Sequence, residues 1–262
     1  MRKICKIATI IAFWIGIWYL SVLIYSAIND MSLTYNPLFP YPHDVIKSLF
    51  RLFGTSTYYT ATISTLGRIL LSIIIAVILG TLCAFACAKI KILHSFMHPL
   101  LSTIRSVPVT VFVFILYLLI FDFTSMFITI LMVFPIVFSN VYEGITNIDK
   151  DLYEVCQIYK IPLKQRMRAL YVPTIMPYFV SALTTSVGLA WKAGVAAEAL
   201  CPPDNSMGLS ISLAKQNFDN EELFAWALTL VIINSIFELV FKKVVRFSFK
   251  KWLSREVKNE TK

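Results

Sequence analysis

The chain has 262 residues, 58% hydrophobic and only 15% charged, with a formal net charge of +9. A soluble domain carries about 45–50% apolar and ~25% charged residues, and here the apolar excess is gathered into blocks approaching the ~20 residues that a membrane-crossing helix needs. Composition thus excludes an ordinary soluble fold and indicates an all-α polytopic membrane protein, with a single transmembrane domain filling residues 1–262.

In chain order, Arg2, Lys3 and Lys6 precede the apolar run Ile7–Tyr25 of the first block, Ile4–Ser26. It is too long for the apolar region of a signal peptide and no A-x-A site follows, so it reads as an uncleaved first span. Next, Pro42–Phe53 (PHDVIKSLFRLF) puts Val45, Ile46, Leu49, Phe50 and Phe53 on one helical face, which suits the outer membrane interface. The blocks Thr65–Ala88, Val107–Phe121, Ser125–Val141, Pro173–Ala197 and Leu223–Val245 complete six spans. The third is short, with room for its span to begin before Pro108. The connection Cys201–Glu222 carries Asp204, Asp219, Glu221 and Glu222 against one lysine.

Alternate connections differ sharply in basic charge. Nineteen Lys and Arg lie in the N-terminus, the second-to-third and fourth-to-fifth connections and the C-terminal segment from Lys242. Only Lys47, Arg51 and Lys215 lie in the opposite set. That asymmetry predicts cytoplasmic termini. The positive charge then faces the anionic inner leaflet of the lipid bilayer, and no nucleic-acid partner is needed to explain it. Five cysteines without a CxxC, and three histidines without zinc-type spacing, imply neither a metal site nor a disulfide framework.

The connection Asp149–Pro173, DKDLYEVCQIYKIPLKQRMRALYVP, is the most informative. Asp151 is placed to cap a helix with Glu154 three residues on. Leu152, Val155, Cys156 and Tyr159 follow the i, i+3, i+4, i+7 pattern. Pro162 breaks the helix, a basic segment Leu163–Tyr171 follows, and Pro173 fits the first turn of the next span. On pattern alone this is either a solvated connector or a docking element whose apolar face (Leu152, Tyr153, Tyr159) is covered by a soluble partner.

These residues resemble the EAA loop of ABC importer permeases, E-A-A-x-x-x-G followed by L-P about a dozen residues on. Here the pattern is Glu154-Val155-Cys156, Lys160 at the glycine position, and Val172-Pro173. Both alanines and the glycine are replaced. Residues Ser64–Ile211 are similar to the permease core of the nitrate/taurine/aliphatic-sulfonate group. The similarity is carried by Ser64-Thr65-Leu66-Gly67-Arg68, Gly80, Pro99-Leu100-Leu101, Arg105-Ser106-Val107-Pro108, Gly188-Leu189-Ala190-Trp191, Val195-Ala196-Ala197-Glu198 and Met207-Gly208-Leu209.

The resemblance implies a type I importer permease with a core of about 64–245, a coupling loop at 149–172 and a basic tail at 246–262. It further implies a second permease subunit, in a homodimer, an external substrate-binding protein, and a cytoplasmic ATPase that holds ATP-Mg and receives Asp151, Glu154, Val155, Cys156, Tyr159, Lys160, Pro162 and Pro173. The setting implied is a bacterial inner membrane. The chain has no GxxxxGK[ST] phosphate loop and no catalytic constellation, so it reads as a permease rather than an enzyme, with no cofactor of its own.

Charges inside the spans, Arg68, Lys192 and Glu198, mark candidate pathway or gate residues, with Trp191 beside Lys192. Lys192 suits an anionic substrate of a nitrate- or sulfonate-type importer, and the resemblance as a whole implies a small anionic or polar solute such as nitrate, a sulfonate or a vitamin precursor. A structural ion pair at a dimer interface, or snorkelling to the outer surface, is the competing reading. Glu198 is placed at the outer end of its span as a gate or dimer contact. Arg68 reads as an outer-interface anchor, and Trp191 reads as packing. The alternatives for the whole chain are a secondary transporter, for which mid-span carboxylates are missing, and a membrane assembly subunit.

Overall fold

The structure, a computed structural model, describes residues 2–29 and 38–260, with side chains other than those of 2–5, 7, 8, 11, 248 and 250–260. Thus Arg2, Lys3 and Cys5, and most of the expected basic tail 246–262, lie outside the described side chains. Every described element is helical. Two compact units are formed, Met1–Thr65 with Asp204–Ile233, and Leu66–Pro203 with Asn234–Lys262.

The first unit holds α1 (Arg2–Ile28), α2 (Pro42–Phe53), the start of α3 (Ser56–Lys89), α10 (Met207–Gln216) and the start of α11 (Asn220–Glu260). Pro42 opens α2, where its missing N–H leaves no bond unmade. Helix α2 buries Val45, Ser48, Leu49 and Leu52, whereas Ile46 and Phe50 are exposed. The expected single apolar face is therefore two stripes. At ~100° per residue, 45, 49 and 52 line up, and 46, 50 and 53 form a second row turned one residue away. The connection after Cys201 is not plain loop. Ser206 Oγ accepts the Leu209 N–H at 2.9 Å and starts α10. Thr65 Oγ1, fully buried, accepts the Met207 N–H at 3.0 Å. This ties the S-T-L-G-R stretch to the M-G-L stretch. Tyr58 stacks on buried Trp226 with centroids 5.3 Å apart.

The second unit is built on α6 (Thr124–Thr146) and α9 (Val172–Leu200), with α3, α4 (Lys91–Ser106) and α5 (Val109–Ile120). Span three does not begin before Pro108. Val107 is extended (φ −82, ψ 133), because the proline ring pushes the preceding residue out of helical dihedrals. An unforeseen separate helix, α4, precedes it. Phe121 takes φ 44 and a short 3-10 turn, Phe121–Phe123, joins α5 to α6. Val113 and Ile128 share one core cluster with Ala193, Ala197 and Cys201. Fifteen residues along a straight helix would hold Val113 and Ile128 ~22 Å apart, so the chain reverses at Phe121 into a hairpin.

Four helical stretches are long and apolar enough to cross a membrane: Ser56–Lys89, Val109–Thr146, Leu163–Leu200 and Asn220–Phe247. The second of these contains the hairpin. The described apolar part of α1, Ala12–Ile28, is shorter. Gly194 marks the tightest approach of α3, α6 and α9, since a Cβ there would sit 2.8 Å from Thr129 Oγ1 and 3.1 Å from Ile69 Cγ1. Close helix contact in membranes is made by such small residues.

Candidate functional site

The connection after α6 folds into a stapled helical corner. Helix α7 (Lys150–Ile158) is capped by Asp149, not Asp151. The Asp149 carboxylate accepts the backbone N–H groups of Asp151 and Leu152 at 2.9 and 3.3 Å. Asp149 is extended enough to turn its side chain back on the helix end, whereas Asp151 already lies in the first turn and its acidity complements the helix dipole.

The C-terminal end of α7 answers the question raised by the lost glycine. Lys160 adopts φ 49, the left-handed conformation a glycine takes without strain. Its N–H bonds the Gln157 carbonyl at 3.0 Å and the Ile161 N–H bonds the Cys156 carbonyl at 3.0 Å. That pair of bonds is a Schellman cap with lysine in the glycine's place. Pro162 follows and starts α8 (Leu163–Arg166). Arg166, not singled out in the sequence, closes the corner. Its Nη2 donates to the carbonyls of Cys156 and Ile161 at 3.4 and 3.3 Å, and its guanidinium lies 5.5 Å over the Tyr153 ring. The signal for it was a basic residue just beyond a helix-ending proline, where unpaired carbonyls gather.

Pro173 lies in the first turn of α9, as expected, but that turn is not a free helix start. The helix runs from Leu163 through a π-helical stretch, Met167–Tyr171, into α9. Pro173 offers no N–H to the carbonyl four residues back and its ring crowds it. A wider turn there relieves both, which is how such bulges arise.

Within α7 only Cys156 is buried; Leu152, Val155, Ile158 and Tyr159 are 53, 44, 75 and 76% exposed. Glu154 and Lys160 are exposed as well. The corner is thus held rigid from behind while an apolar face stands open.

The second group of candidates lies along α3 and α9. Arg68 Nε donates to Glu198 Oε1 at 2.9 Å, and Glu198 is fully buried. The structure therefore pairs the residue read as an interface anchor with the residue read as an outer-end gate. They are 130 positions apart, so no local spacing could show it. Lys192 is not brought into this group. It is exposed, and makes no hydrogen bond or ion pair among the described residues. Trp191 is 3% exposed, against Phe237 at 6.0 Å. Its surroundings are those of a packing residue.

No group of three or more potential metal ligands occurs among the described residues. The long apolar helices, hairpin and stapled corner define a polytopic helical membrane protein. Residues 76–252 match the family of binding-protein-dependent transport system inner membrane components, and the chain belongs to that family.

The chain is 24% identical over 159 residues to a Bacillus subtilis protein assigned as an aliphatic sulfonates transport permease, covering 60% of this chain and 57% of that one. It is 32% identical over 114 residues to the nitrate import permease protein of Synechococcus elongatus, covering 42% and 40%. It is 30% identical over 94 residues to the bicarbonate transport system permease protein of Synechocystis, covering 36% and 33%. The matches span little more than half the length of the first relative and less of the others.

Proposed function

We propose that this chain is the membrane-spanning permease subunit of an ATP-driven, binding-protein-dependent importer of a small anionic or polar solute. The reading places six spans in a bacterial inner membrane with both termini cytoplasmic. It counts α1 as the first span and the two arms of the 109–146 hairpin separately. A second copy of the chain completes the pathway, an external binding protein delivers the solute, and ATP-Mg is hydrolysed on a partner ATPase. The chain itself is not an enzyme.

The observation that carries the reading is the corner after α6. A nine-residue helix is marginal alone in water. Here it is capped at both ends and stapled by Arg166, yet it shows an apolar face to solvent. Such a face is covered by a docking partner. A rigid corner continuous with α9 passes a push on α7 into the membrane, so closure of the ATPase pair would shift a two-state packing of the spans. The relatives named for sulfonate, nitrate and bicarbonate support an anionic solute.

The test is capture of an ATPase subunit by the tagged chain in mild detergent, repeated with Glu154→Arg and Tyr159→Asp. Both side chains are exposed, so neither substitution disturbs a core. Loss of the ATPase with either supports the docking role. Absence of any ATPase with the native chain, even after cross-linking in membranes, sinks it.

A further inference from the structure

Between α4 and the second half of α6 lies a cavity of about 240 Å³ lined by His94, His98, Leu101, Ser102, Arg105, Phe138, Ser139 and Tyr142. This is smaller than the ~300–1,000 Å³ of sites for larger ligands, so its occupant is a small molecule. No carboxylate lines it.

Its cationic group is held in place. Arg105 Nη2 donates to the Pro135 carbonyl at 2.8 Å and to Ser139 Oγ. No acceptor among the described residues reaches its Nε or Nη1, so part of the guanidinium fork is left for a ligand. His94 stacks face to face on Tyr142, centroids 4.4 Å apart, and Tyr142 stacks on Phe138 at 5.8 Å. The stack fixes the His94 ring while neither it nor His98 uses a ring nitrogen in a hydrogen bond among the described residues. Ser102 likewise has an unengaged hydroxyl, and Ser139, which accepts from Arg105, retains its own proton to donate.

The lining thus combines a planar cation, two imidazoles and two hydroxyls with Leu101 and the Phe138 and Tyr142 rings. A guanidinium fork matches two oxygens of a planar or tetrahedral oxyanion, and the apolar lining residues accept a short hydrocarbon group. We infer that this cavity is a binding site for a small organic oxyanion, a short alkyl sulfonate or carboxylate, taken from the aqueous side. The inference rests on the permease reading for its role as a station on the solute's path. Its place fits that role: helix α6 carries Ser139 and Tyr142 and ends at Thr146, three residues before the Asp149 cap of α7. An anion in the cavity would thus stiffen the helix that leads into the docking corner.

The probe is methanesulfonate, titrated calorimetrically into the purified full chain in a phosphate-free maltoside detergent. A parallel titration uses short-chain phosphatidylglycerol as the lipid source of the same oxyanion chemistry. Saturable methanesulfonate binding is expected, weakened about tenfold or more by Arg105→Gln. Because Arg105 also braces α6, Ser102→Ala is the second variant, expected to weaken binding several-fold with an unchanged melting temperature. No methanesulfonate binding by the native chain, equal binding by both variants, or binding of the lipid alone overturns the site. ATPase capture is run on the same preparation. If the ATPase is retained and methanesulfonate is not bound, only the cavity assignment fails; if neither is retained, the importer reading fails with it.

Discussion

The Arg68–Glu198 pair is either a strut between α3 and α9 or a gate, and neutralising one partner separates the two. At 2.9 Å and an effective dielectric of 20 the gross attraction is about 6 kcal/mol, much of it offset by desolvating a fully buried carboxylate. Removing one partner of such a buried pair costs ~3–5 kcal/mol, whereas replacing both by apolar groups is far milder. At about 2–4 °C per kcal/mol for a chain of this size, Glu198→Gln should lower the melting temperature by about 6–20 °C. The double change Arg68→Met with Glu198→Leu should recover most of that. A thiol-reactive dye reports unfolding in detergent, since Cys87, Cys156 and Cys201 are buried. Burial also pushes the Cys201 thiol up, keeping it unreactive in the folded state. A Cys5→Ser background removes the N-terminal thiol. A Glu198→Gln protein melting within about 2 °C of the native one would refute the strut. Loss of uptake at unchanged stability would then mark a gate.

Three further outcomes follow from the packing and backbone of the same helices. Gly194→Ala should cost about 1–3 kcal/mol through overpacking against Thr129 and Ile69, and Gly194→Leu should abolish accumulation of folded protein; both are read by the same melting assay. Lys160→Gly should stabilise α7 by roughly 1 kcal/mol, by removing the left-handed strain of a residue with a side chain. Hydrogen exchange should then slow about fivefold at the amides of α7, and faster exchange would show that the Lys160 side chain matters more than its backbone. Lys192→Met should leave the melting temperature unchanged, because no partner is lost. Uptake of an anionic solute should fall about tenfold, the worth of one hydrogen bond from a charged donor; unaltered uptake would remove Lys192 from the pathway.

What the sequence disclosed and what it hid divide along physical lines. Periodicity and breakers are local, so α2, with its bounds Pro42–Phe53, and the helix–break–helix of 149–171 could be read from residues within a few positions of one another. Cap choice is local too, yet Asp149 and Asp151 are equally good cap residues. Only the backbone decides between them, extended at the first and already helical at the second. The lost glycine was a different problem. Substitution changes which residue bears the left-handed turn without removing the turn. The two Schellman hydrogen bonds belong to the main chain, and Lys160 can make them at a strain of ~1 kcal/mol. Long-range pairing leaves no such trace. Arg68 and Glu198 each look like a span-end charge until α3 and α9 are packed through Gly194 and Ile69. Once that contact is made, a buried glutamate without a cation beside it would be untenable. Lys192, two residues before Gly194 and so turned to the opposite, exposed side of α9, makes no hydrogen bond or ion pair among the described residues. That contrast, between one charge neutralised within the fold and another exposed on the same helix, is why Glu198→Gln is expected to act first on stability and Lys192→Met on uptake.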